Sequence, residues 1–163
     1  MRFVIPILLI SLFSGCAISD HGTSPETVAI RSIIPRYIQS EQFVTIREYL
    51  TGVEHSGNRL IMRTDTNERS GFYFVLQLDA KAHHLPQGTR ITGEFYTGNS
   101  SEIQTYTLEM PAERPRTKYL LFGLTGEAWP YGQNHPAPAA WRFTIIGPDS
   151  KQLAEKHSYL WEK

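Results

Sequence analysis

The stretch Gly71-Phe72-Tyr73-Phe74-Val75-Leu76-Gln77-Leu78-Asp79 decides the fold. Phe72, Phe74, Leu76 and Leu78 recur at every second position. In an extended chain that places four large apolar side chains on one face. The same period returns three times. Ile91, Gly93 and Phe95 alternate with Thr92, Glu94 and Tyr96; Tyr106, Leu108 and Met110 alternate with threonines and Glu109; Trp141, Phe143 and Ile145 alternate with Arg142, Thr144 and Ile146. β-Branched and aromatic residues crowd these runs, as strands prefer. Further runs at 28–37, 43–53, 59–63, 119–124 and 153–161 raise the expected number of strands to about nine.

Turn chemistry separates the runs. Ser56-Gly57-Asn58, Gly98-Asn99-Ser100 and Gly147-Pro148-Asp149-Ser150 each have residues suited to closing a hairpin. Short strands at even spacing point to an all-β fold, a two-sheet antiparallel sandwich of immunoglobulin-like or transthyretin-like type. Residues 39–53 also admit a partly helical reading, because Glu41, Ile46 and Glu48 do not alternate cleanly. The 153–161 run is expected to pair with the Trp141 strand, with Tyr159 and Trp161 in or near the core.

The chain has 163 residues, which suits one domain. Its 16 Lys+Arg balance 16 Asp+Glu, and no long basic run occurs, so nucleic acid is not an expected partner. The single Cys excludes an internal disulfide and any multi-Cys zinc site.

That Cys closes a distinctive N-terminus. Arg2 precedes an apolar run from Phe3 to Phe13, followed by Ser14, Gly15 and Cys16. A charged start, an apolar stretch too short to span a bilayer and small residues form the pattern of a signal peptide, helical while it lasts. Phe13-Ser14-Gly15-Cys16 resembles the lipobox of bacterial lipoproteins, with Phe13 where Leu is usual. The resemblance covers the first sixteen residues. It implies cleavage before Cys16 and lipidation of its thiol. Ala17, not Asp, follows, which by the enterobacterial sorting rule implies the outer membrane. The expected organisation is a signal peptide at 1–15, a lipidated tether at 16–27 and a β-sandwich domain at 28–163. Several acyl chains would give stable anchoring to the membrane.

Catalytic signatures are sparse. His83-His84 are adjacent and would diverge on a strand, so they read as loop residues rather than metal ligands. Asp65-Thr66-Asn67-Glu68 begins like a calcium loop, but Ser70 and Leu76 stand where Gly and Glu are required. No Gly-x-Ser-x-Gly, His-Glu-x-x-His, Walker or dinucleotide motif occurs. Neither an enzyme activity nor a cofactor or metal is expected. Asn99-Ser100-Ser101 matches a glycosylation sequon in pattern only.

One segment offers recognition chemistry. Residues 126–138 hold Trp129, Tyr131 and His135 among Pro130, Pro136 and Pro138. Trp and Tyr supply large amphipathic area at little entropic cost, and proline pre-orders the loop. Trp129 either plugs one end of the sandwich or joins Tyr131 and His135 in binding a glycan or peptide. The first expectation is thus a lipid-anchored envelope protein with a structural or protein-interaction role. The second is a glycan- or peptide-binding module. A hydrolase built from distant carboxylates ranks last.

Overall fold

A computed structural model describes residues 27–96 and 102–162. The signal peptide, Cys16, most of the tether and the Gly98-Asn99-Ser100 turn lie outside the described residues.

Eight strands are present among the described residues: β1 (Ile30–Ile38), β2 (Leu60–Arg63), β3 (Gly71–Leu78), β4 (Arg90–Tyr96), β5 (Gln104–Glu109), β6 (Tyr119–Thr125), β7 (Ala140–Ile146) and β8 (Gln152–His157). They form two four-stranded sheets, ordered β1-β3-β6-β2 and β5-β4-β7-β8. The fold is therefore an all-β sandwich with few helices.

The alternating positions meet between the sheets. Phe72, Phe74, Leu76 and Leu78 are all buried, as are Leu120, Phe122 and Leu124 of β6. Phe74 lies 5.0 Å from both Phe95 and Phe143, ring centre to ring centre. Phe122 lies 5.3 Å from Phe143, edge to face. Such pairs add about 0.5–1.5 kcal/mol each beyond the area they bury.

Sheet one also has a covered outer face. Tyr73 points away from Phe72 and Phe74, yet is fully buried. It packs with Ile38, Phe43 and Leu121 in a second, smaller apolar cluster. Its ring lies flat over Gly123, where a Cβ would come 2.4 Å from the ring, so only glycine fits. Its hydroxyl donates to the Arg69 carbonyl at 2.7 Å. Burial pushes the Tyr73 pKa well up.

That cover is not the 43–53 strand but the partly helical form of 39–53. The segment is a short 3-10 turn at Ser40–Phe43 followed by helix α1 (Ile46–Thr51). Thr45 caps α1 by accepting from the Glu48 amide, and Gly52 ends it in the left-handed conformation at φ 67°. β2 is likewise not in a hairpin: it pairs with β6 in parallel, so the sandwich is not wholly antiparallel. Ser56-Gly57-Asn58 instead turns the chain from α1 into β2, with Arg59 donating to the Ser56 carbonyl. β1 and β2 run the same way at opposite edges, and a parallel return needs a crossover, which the α1 segment supplies.

The Gly147–Ser150 turn does close a hairpin, between β7 and β8. The C-terminus departs from expectation. β8 stops at His157, and Tyr159–Glu162 is a 3-10 turn. Tyr159 is 78% exposed, not core. Trp161 is half-buried; its ring lies 5.4 Å from that of Tyr96, and the Arg142 guanidinium sits 4.9 Å from the Trp161 ring centre. Ser158 breaks the strand by using its backbone and hydroxyl on Trp141.

Candidate functional site

The structure brings Trp129, Tyr131 and His135 together. Trp129 follows a 3-10 turn at Gly126–Ala128 and is 4% exposed. Its ring packs 4.7 Å from that of Phe72, at the end of the inter-sheet core. Trp129 therefore occupies the plug position. Tyr131 and His135 are half-buried above it, stacked at 3.7 Å and 15°. Both stand edge-on to the indole, at 5.2 and 5.3 Å. The three rings form one packed stack whose outer layer alone reaches solvent. The indole Nε1 is buried without a hydrogen-bond partner.

His83 and His84 sit side by side in a one-turn helix, ring centres 4.1 Å apart. Burial, with the neighbouring His84 and Arg116 charges, holds the His83 imidazole below its ordinary pKa. No group of three His, Cys, Asp or Glu side chains able to hold a metal occurs among the described residues. Asp65 closes a turn, accepting from the Asn67 amide at 2.9 Å.

The most unusual surface is α1. Ile46, Tyr49, Leu50 and Val53 are 82%, 82%, 76% and 67% exposed. Within α1, Ile46, Tyr49 and Leu50 stand at i, i+3 and i+4, the spacing of an apolar helix stripe, which in a surface helix normally faces the core; Val53 follows just past the Gly52 cap. Here the stripe faces water, and no α1 residue is buried. The inward face is polar instead. Glu48 takes both a Thr45-capped position and a bidentate bond from Arg69, which lies on the β2–β3 connection. The Arg69 and Glu48 side chains are 19% and 12% exposed. Glu54 approaches Arg69 at 3.7 Å and pairs with Arg63 at 2.7 Å. The Arg69 hydrogen bond, acting against partial burial, holds the Glu48 carboxyl below the usual range. Arg59 and Arg69 place their guanidiniums 5.6 and 5.8 Å from the Phe43 ring centre, bracing the segment before the helix.

The helix is thus fastened by charge and presents its apolar side outward. Turning the stripe inward would break the Glu48–Arg69 pair. Thr45-x-x-Glu48 at the start and Gly52 at the end form a helix signature bounded at both ends.

Comparison of the chain with protein-family models, curated proteins and solved structures returned no match.

Proposed function

We propose that this chain is a non-catalytic envelope protein, lipidated at Cys16, that docks a protein partner through the outward stripe of α1. The observation that carries this is the exposure of Ile46, Tyr49 and Leu50 on a helix pinned by its polar face, with exposed Val53 just past its end. Contiguous apolar patches on monomers mark interaction surfaces, whereas scattered single residues do not. The position supports a protein partner rather than the membrane. The described chain enters at Thr27, next to the Ile30 end of β1. α1 is tied to Arg69, beside Gly71, which pairs with Ile38 at the other end of β1. The two ends are roughly 26 Å apart, from the eight steps between nine residues at about 3.3 Å each. A lipid on the tether would hold the near end and leave the stripe at the far one.

The sandwich reads best as immunoglobulin-like. β1, β3 and β6 stand as A, B and E, and β4, β7 and β8 as C, F and G, with β5 beside β4 as C′. β2 is an addition, beside β6. This order favours the immunoglobulin-like over the transthyretin-like alternative.

The buried position of Trp129 supports its role as plug. A glycan or peptide site there would be left with Tyr131 and His135.

The test is a charge pair on the stripe, Tyr49→Asp with Leu50→Asp, in the full lipidated chain. Co-purification of the envelope partner should fall at least tenfold while thermal melting stays within a degree or two. Undiminished co-purification would overturn the assignment.

A further inference from the structure

The two lateral seams of the sandwich differ. On one side the sheets are joined edge to edge: Val28 donates its amide to the Leu153 carbonyl at 3.2 Å, and Lys156 Nζ reaches the Arg31 carbonyl at 3.2 Å. On the other side, β2 and β5 face each other with no backbone hydrogen bond between them among the described residues. Three cavities of about 440, 240 and 350 Å³ run along that seam. They adjoin one another. Thr66 lines the first and second, and Ile61, Arg63 and Pro111 line the second and third.

The backbone along this seam has a defined pattern. Thr64 donates its amide to the Gly123 carbonyl, so even-numbered residues of β2 bond to β6. By alternation, the N–H and C=O of Ile61 and Arg63 point to the open edge. Met110 donates to the Thr89 carbonyl, so Tyr106 and Leu108 bond to β4. The polar groups of Thr107 and Glu109 therefore point outward too.

The side chains select what such a strand carries. Its middle would pass Ile61 and Leu108, which both line the second cavity. At one end, Asp65 and Glu127 line the largest cavity together with Thr64, Thr66 and Thr125. Neither carboxylate has a cationic partner among the described residues. Arg63, the cation nearest in sequence, is taken up by Glu54.

We propose that the β2–β5 seam binds an extended segment of a partner protein as an added strand on β2, with a Lys or Arg of that segment seated between Asp65 and Glu127. The backbone amides give affinity, and the acidic end fixes register and direction. The four residues of β2 limit the paired stretch to a short motif. This site is separate from the α1 stripe and stands without it.

The probe is a displayed library of random nine-residue peptides selected against the tether-free domain and, in parallel, the full lipidated chain. Selection should enrich alternating apolar sequences with Lys or Arg at a fixed offset. Binding should weaken at least tenfold in Asp65→Asn with Glu127→Gln, a change that keeps the Asp65 turn and leaves melting unaltered. N-methylation of alternate peptide amides should abolish binding, and the amides of Ile61 and Arg63 should gain hydrogen-exchange protection. Four results would overturn the proposal: no enrichment, peptides indifferent to both changes, protection of Ile61 and Arg63 without peptide, or a concentration-dependent dimer that pairs β2 with a second copy.

Discussion

Arg69 and Glu48 clasp each other across 21 positions of sequence, and this contact holds the polar side of α1 against the β2–β3 connection. The guanidinium comes from the connection leading into β3, and the carboxylate from the inner side of the helix. Because the pair is mostly screened from water, either partner alone is left poorly satisfied.

The pair predicts a pH dependence. The Glu48 carboxyl titrates lower in the folded chain than its ordinary value of 4.5. Its contribution is complete above that unfolded value and is lost as pH falls through the lower, folded one. Thermal melts from pH 7 to pH 3 should show a falling stability to which Glu48→Gln contributes less. Equal slopes in wild type and variant would remove the clasp from the stability of α1.

Trp129→Ala should cost about 3–5 kcal/mol, because it opens a cavity against Phe72 at the end of the core. Tyr131→Ala, one layer out, should cost only about 1 kcal/mol. Denaturant melts of the two single variants check this. Equal losses would mean that the stack is held by its outer layer.

Tyr73→Phe removes one buried hydroxyl and its bond to Arg69 while keeping the ring over Gly123. About 1 kcal/mol of stability should go with it. Gly123→Ala should be far worse, since its Cβ would meet that ring. Chemical denaturation of both variants gives the comparison.

Lipidation at Cys16 predicts that a radiolabelled fatty acid marks the wild-type chain and not Cys16→Ala. Equal label in both would refute the anchor.

What could be read from the residues follows from range. Phe72, Phe74, Leu76 and Leu78 face the core because a period of two is a local property, and the Ile91 and Trp141 runs share it. The Gly147–Ser150 hairpin is local as well. The parallel pairing of β2 with β6 joins Leu60 to Leu120, a separation that no local pattern encodes. Ile46, Tyr49, Leu50 and Val53 misled because their apolar character suggested a strand in a sheet. The Arg69–Glu48 clasp, which forms only in the folded chain, holds the polar side of the helix inward. Tyr159 misled for the reverse reason. An aromatic near the terminus suggested burial, but Ser158 ends the strand first. The Trp129 segment was legible as an aromatic cluster, whereas the depth of each ring depends on Phe72 behind it.

The most direct test of the account places a photo-crosslinking amino acid at Tyr49 in the full lipidated chain, in intact cells, with a second chain labelled at Arg90 as a control on the opposite sheet. The account predicts a discrete adduct with one envelope protein from Tyr49, none from Arg90, and loss of the adduct when Leu50→Asp is added. No adduct at Tyr49, or the same adduct from both positions, would contradict it.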